Sequence, residues 1–199
     1  MTTAPARRQI TRADILDMTE YASVRTGRRR ALIEVKAVRR LAVGPVATFY
    51  FENYDTMWMQ IHEMLRIERG GESQIADELA AYNPLVPNGR ELVATVMFEI
   101  DDPVRRNAIL GTLGGVEHTM TIQFGDERVA GQPEADQERT NARGKTSSVH
   151  FIHFPFTEAQ IEGFKVPGQQ VIVGIGHPHY GHLAILPEIT RAALAADFD

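Results

Sequence analysis

Hydrophobic and polar residues follow helical spacing in some parts of the chain and strand-like alternation in others. Thr11 and Asp14 form a capping-box pattern that predicts a helix running to about residue 23. The next apolar segments, LIEV (32–35) and LAVGPVATFYFE (41–52), are rich in β-branched and aromatic residues and predict strands. The second segment is interrupted by Gly44-Pro45, a pair typical of turns.

Two amphipathic helices are predicted after these strands. The first has Asn53 as its N-cap and ends at Gly70-Gly71. Its apolar face is formed by Met57, Ile61, Met64 and Leu65. The second is shorter, ends at Asn83-Pro84, and carries one apolar stripe of Ile75, Leu79 and Tyr82.

One order of elements occurs twice in the remaining sequence. Residues 92–131 and residues 147–186 each predict a strand, a helix, a strand and a short strand. The segment GQPEADQERTNARGK (131–145) has few large apolar residues and predicts an exposed, mobile loop between the two candidate repeated units. We therefore expect an α+β fold with a mixed or antiparallel sheet and helices packed on it.

Length and composition indicate one domain spanning residues 1–199. The chain has 199 residues, of which 43% are hydrophobic, enough for a substantial core. No apolar run approaches the length of a membrane span, and the N-terminus lacks the apolar segment of a secretory signal, so we expect a cytoplasmic protein. The sequence contains no Cys, which excludes disulfides, thiolate metal sites and thiol nucleophiles.

The charge is unevenly distributed although the net charge is only −5. Residues 1–40 form a basic N-terminal segment, with ten Arg and Lys against four Asp and Glu. Such a segment can bind phosphate backbones, but no aromatic residues alternate with its arginines to stack on bases. We expect it to dock on the acidic remainder of the chain or on a second copy in a homodimer, and not on nucleic acid.

Histidine supplies the main candidate chemistry, because HPHYGH (177–182) holds three of the seven histidines. Alternation along a strand places His150 and His153 on opposite faces. If strands 147–156 and 169–177 pair, one of these two histidines meets His177 and His179 around a cation. The alternative is a polar turn whose imidazoles face solvent or backbone carbonyls.

The helix with His62-Glu63 does not carry a zinc-protease motif. That motif requires a second histidine four residues after the first, and the chain has Arg66 there. The spacing of Gln60, Glu63 and Arg66 instead predicts an ordinary ladder of side chains with an ion pair.

Four segments together, FENYDTMWMQIHEMLRIER, AYNPLVP, GKTSSVHFIHF and GHPHY, resemble a bacterial family catalogued as domain of unknown function 3501. The matching positions are Glu52, Asn53, Gln60, Glu63, Arg66, Glu68, Asn83, Pro84, Lys145, His150, His177 and Pro178. His153, His179 and His182 depart from the family pattern, so the resemblance favours His150 and His177, with Glu52 or Glu63 as oxygen ligands or proton acceptors. Glu52 and Asn53 also suit a structural role as helix caps.

The resemblance implies no reaction, but it implies a gene neighbourhood of rubrerythrin-type and iron–sulfur oxidoreductase proteins. The first hypothesis is therefore an accessory partner of a non-haem iron or iron–sulfur redox or peroxide-stress system. It includes one Fe, Zn or Mn ion bound by His150, His177, His179 and Glu63. The alternative is a metal-dependent hydrolase or oxygenase that uses the same histidines with a carboxylate.

Overall fold

The structure is a computed structural model that describes residues 7–134, 140–141 and 144–199. Helices in these residues are α1 (Met18–Ala37), α2 (Tyr54–Glu68), α3 (Glu72–Tyr82), α4 (Pro103–Leu110), α5 (Glu158–Lys165) and α6 (Glu188–Ala195). Short 3₁₀ turns lie at Arg12–Asp14, Asn83–Leu85 and Val116–His118.

The described strands form two sheets in which every pairing is antiparallel. Sheet A has the order β1-β2-β3-β7-β6 and sheet B the order β5-β4-β8-β9. The strands are β1 (Arg40–Val43), β2 (Ala47–Phe51), β3 (Glu91–Phe98), β4 (Met120–Phe124), β5 (Glu127–Ala130), β6 (Gln132–Pro133), β7 (Val149–Pro155), β8 (Val171–His177) and β9 (Tyr180–Ile185). The predicted α+β class is thus confirmed, with two antiparallel sheets instead of one.

The two sheets pack face to face, and helices cover the other face of sheet A. Alternation along the central strands divides their side chains between these two sides. Val96 and Ile152 point into the core between the sheets. Val93 and Phe151 point outward, into a second cluster that contains residues of α1, α2 and α3. Sheet A therefore separates the inter-sheet core from the helical layer.

The two candidate repeated units have the element order that the sequence predicts. β3, α4, β4 and β5 form one series, and β7, α5, β8 and β9 form the other. The first strands of the two series pair in sheet A, and their second strands pair in sheet B. Both pairings are antiparallel, so each of these strands runs opposite to its equivalent in the other series.

The strand predicted at LIEV is wrong, because these residues lie in α1. Leu32 is buried on the inner side of this helix, and residues with high helix propensity surround the β-branched pair. The predicted helix start is also displaced. Thr11 donates hydrogen bonds to Asp14, but this pair encloses a single 3₁₀ turn, and Asp17 caps α1.

The segment 131–145, predicted as a loop, contains residues that form β-pairs. Gln132 and Pro133 form β6 beside β7, and Thr140 bridges Thr146. The rest of that prediction, at residues 135–139 and 142–143, lies outside the described residues.

The described part of the basic segment docks largely on the protein itself. Arg12 pairs with Glu72, Arg25 with Glu63 and Arg39 with Asp197. Arg28 lies over the Trp58 ring, with its guanidinium carbon 5.0 Å from the ring centroid. The body of the same chain therefore neutralises much of this positive charge.

Candidate functional site

The four predicted metal ligands lie in three different surroundings. His150 is fully buried on the inter-sheet side of β7, where Phe98 meets its ring edge-on at 5.9 Å between centroids. Its Nε2 lies 2.9 Å from the carbonyl oxygen of Ser147 and 3.3 Å from Oγ1 of Thr146. Because a carbonyl oxygen only accepts, Nε2 carries the proton.

His177 and His179 are neighbours at the turn after β8. Their ring centroids are 5.8 Å apart, and the backbone N–H of His179 donates to Nδ1 of His177 at 3.2 Å. Nε2 of His177 lies 3.3 Å from the carbonyl oxygen of Gly114, to which it donates. Both ring nitrogens of His177 are therefore engaged, as in the alternative of a polar turn.

Glu63 belongs to the helical layer, on the other side of sheet A from His150. Arg25 binds both of its carboxylate oxygens, at 2.7 and 2.8 Å, and lowers the pKa of Glu63 to about 2. Tyr21 donates to the same carboxylate, and burial, reinforced by this hydrogen bond, raises the pKa of Tyr21 well above its ordinary value. Glu63 thus pairs across helices with Arg25, and the predicted ion pair with Arg66 is wrong.

The strand pairing on which the histidine cluster depended is wrong, since β7 pairs with β3 and β6 while β8 pairs with β4 and β9. Among the described residues, no group of three or more His, Cys, Asp or Glu side chains is placed to hold a metal ion. Binding of one ion by His150, His177, His179 and Glu63 stays a prediction that the geometry does not support.

A cavity of about 330 Å³ lies instead between the outer face of sheet A and the helical layer. We call it the outer-sheet pocket. Its polar lining consists of Lys36, Arg39, Tyr50, Glu52, Thr56, Gln60, Tyr82 and Thr95. Its apolar lining includes Met57, Leu85, Met97, Val149 and Phe151. A concave apolar site with a few polar groups is the usual form of a small-molecule site.

Strand register brings the sheet side of this pocket together. Thr95 lies opposite Phe151, and Met97 opposite Val149, in the antiparallel pairing of β3 with β7. These residues alternate with the buried ones, so their side chains all project toward the helices. These residues were not predicted as a site from the sequence, because their convergence depends on which strands pair.

Among the residues that the structure describes, Glu52 is the one carboxylate that lines the outer-sheet pocket, and it lies between β2 and α2. Its backbone N–H donates to the carbonyl oxygen of Val93 at 2.8 Å, which fixes its position beside β3. The residue is only 8% exposed. Its Oε1 accepts a 2.6 Å hydrogen bond from the hydroxyl of Thr95. Its Oε2 accepts no hydrogen bond from any residue that the structure describes.

A buried ion pair supports the backbone behind Glu52. The Arg39 guanidinium donates to the carbonyl oxygens of Phe51 and Glu52, at 3.0 and 2.9 Å, and to both carboxylate oxygens of Asp197. Burial raises the pKa of Asp197, and the charge of Arg39 opposes that rise. Asp197 thus neutralises Arg39, whose hydrogen bonds hold the end of β2 in place.

The neighbouring residue Asn53 has a structural role. Its side-chain oxygen accepts from the backbone N–H of Thr56 at 3.0 Å, and the Thr56 hydroxyl accepts from its backbone N–H. The prediction that Asn53 caps α2 is confirmed. Glu52 makes no such capping contact, so the two neighbouring polar residues have different roles.

Comparisons with known proteins agree with this fold and assign no activity. A solved structure described as a novel protein of unknown function from Burkholderia pseudomallei K96243 is 36% identical, with a TM-score of 0.88. The similarity covers 96% of this chain and 100% of that one. No curated protein matches the sequence.

None of the helices in the described part of the chain is long and apolar enough to cross a membrane. The family profile described as "Protein of unknown function (DUF3501)" matches residues 9–198, nearly the whole chain. The protein therefore belongs to the DUF3501 family.

Proposed function

We propose that this protein binds a small organic molecule in the outer-sheet pocket, with Glu52 as the anchoring group. The observation that carries the proposal is the Glu52 carboxylate, which is 8% exposed and has one oxygen held by Thr95. The other oxygen is not among the fully buried atoms that lack a hydrogen-bond partner, so it is open to the pocket and takes its partner there. A bound ligand would supply that partner.

The composition of the pocket favours an organic ligand over a metal ion. Hard cations in proteins take about six or more oxygen ligands, and zinc takes about four nitrogen, sulfur or oxygen ligands. Glu52 alone cannot supply such a set. The apolar walls instead suit a carbon skeleton, whose burial provides most of the binding free energy.

Ligand screening by nuclear magnetic resonance tests the proposal. The library contains apolar compounds of cationic, neutral and anionic character, and each is added to the full chain. Val149→Trp fills the pocket, whereas Ile185→Trp adds the same ring to an exposed position on β9, in the other sheet. We expect compounds that bind the parent protein and Ile185→Trp but not Val149→Trp. A library that yields no such compound contradicts the proposal.

We further propose that the protein, with its ligand bound, acts as a cytoplasmic accessory of a non-haem iron or iron–sulfur redox system. The gene neighbourhood implied by the family resemblance supports this role. So does the lack of Cys, since a chain without thiolates needs a partner for iron–sulfur chemistry. Affinity capture from native cells should recover a rubrerythrin-type or iron–sulfur oxidoreductase protein, and capture that recovers neither contradicts this role.

A further inference from the structure

We infer that the ligand of the outer-sheet pocket is an apolar primary amine, bound as its ammonium ion by Glu52. This inference rests on the proposed function and specifies the chemical class of its ligand. It follows from the charge in the pocket, the hydrogen-bonding groups on its walls and the nature of its apolar surface.

Two cationic residues, Lys36 and Arg39, also line the pocket, but neither forms an ion pair with Glu52. Arg39 is buried, and its guanidinium is paired with Asp197 and donates hydrogen bonds to backbone carbonyls. Lys36 is exposed and forms no ion pair with the described residues. A cation delivered by a ligand would compensate the carboxylate directly.

Two polar groups of the wall, Glu52 and Gln60, offer acceptors to a ligand that donates hydrogen bonds. Glu52 only accepts hydrogen bonds. Gln60 uses its amide nitrogen to donate to the Tyr82 hydroxyl at 3.4 Å, which leaves its amide oxygen as a second acceptor on the wall. An ammonium group carries three donors and no acceptor, so it can satisfy both residues.

The remaining surface selects an apolar body for the amine. Two methionines, Met57 and Met97, and the ring of Phe151 line the pocket. Thioethers and aromatic rings adapt to alkyl or aryl groups, and an aromatic face also attracts a cation. The volume of about 330 Å³ suits a compact molecule such as an arylalkylamine, and a highly charged polyamine would leave the apolar walls unmatched.

Calorimetric titration with three compounds of similar shape tests the ligand class. 2-Phenylethylamine, 2-phenylethanol and 3-phenylpropionate are each added to the parent protein, to Glu52→Gln and to Ile185→Trp at pH 7. We expect the parent and Ile185→Trp to bind the amine at least about tenfold more tightly than the alcohol, and the acid least tightly. We expect Glu52→Gln to abolish the preference for the amine.

A second measurement uses the unaltered protein, so its result does not depend on whether a variant folds. The protein has seven Met residues, and their methyl groups can be labelled with ¹³C. The amine should shift the signals of Met57 and Met97, which line the pocket, but not that of Met120, which is buried in the inter-sheet core. The acid should shift none of them.

Tighter binding of the alcohol or the acid, or an amine preference that survives Glu52→Gln, would overturn the inference. So would equal methyl shifts with all three compounds. If compounds of another class bind and Val149→Trp abolishes their binding, the proposed function stands and this inference alone fails. If no compound binds, the proposed function fails with it.

Discussion

The phenol of Tyr21 donates a 2.5 Å hydrogen bond to the carboxylate of Glu63, which joins α1 to α2. Arg25, one turn along α1, binds the same carboxylate through two nitrogens. All three side chains are at least partly shielded from water, so their mutual attraction is stronger than that of a surface ion pair. This cluster fixes the helix that forms one wall of the outer-sheet pocket.

Glu63→Gln should therefore lower the free energy of unfolding by about 1–2 kcal/mol at pH 7, because Arg25 loses its charged partner. Urea unfolding measures the change. Glu34→Gln is the matched control, since Glu34 lies on the same α1 helix as Arg25 but is exposed. Equal unfolding free energies for the two variants would show that the cluster does not stabilise the fold.

The contribution of Glu63 should also depend on pH. Its pKa is about 2 in the folded protein, below its ordinary value of 4.5, so its contribution to stability is fully present above about pH 5. It is lost as the pH falls from 4.5 toward 2, where the folded protein also takes up the proton. The stability difference between the parent and Glu63→Gln should therefore shrink over this range. A constant difference would contradict the assignment.

Asp197→Asn should destabilise the protein by about 3 kcal/mol, because it leaves the buried Arg39 guanidinium without its counter-ion. Arg39 is 4% exposed, so water cannot replace the lost partner. Urea unfolding gives the change, and Asp101→Asn, at an exposed position, serves as the control. A loss below about 1 kcal/mol would mean that the backbone carbonyls around Arg39 suffice to hold it.

Unlike these two variants, Glu52→Gln should leave the free energy of unfolding of the ligand-free protein unchanged or raise it by about 1 kcal/mol. The amide oxygen can still accept from Thr95, while the uncompensated charge is removed. Thermal unfolding of this variant beside Glu63→Gln compares two Glu-to-Gln changes in neighbouring elements. A large loss at Glu52 would assign it a structural role and remove the main support for a ligand.

Local signals in the sequence predicted the elements whose residues interact with near neighbours. Asn53 caps α2 because its partner, Thr56, is three residues away. The alternation in residues 147–156 likewise predicts the strand that the structure has as β7, with His150 and His153 on opposite faces.

Predictions that depended on long-range pairing were less successful. The histidine cluster required β7 to pair with β8, but each of these strands pairs with the equivalent strand of the other repeated unit. The outer-sheet pocket was missed for a related reason. Thr95 and Phe151 become neighbours only through sheet register, and the pocket exists only where α2 and α3 cover them. Glu52 and Gln60 were singled out by the family resemblance, but nothing in the sequence placed them in one cavity.

The buried ion pair between Arg39 and Asp197 has a consequence for synthesis on the ribosome. The two residues are 158 positions apart, so Arg39 leaves the exit tunnel long before its partner does. Until Asp197 emerges, the nascent chain must leave the Arg39 guanidinium in water, and the end of β2 lacks its final anchor. The backbone that positions Glu52 is therefore completed only after Asp197 has been translated, and a nascent chain stalled before Asp197 should be unable to retain ligand.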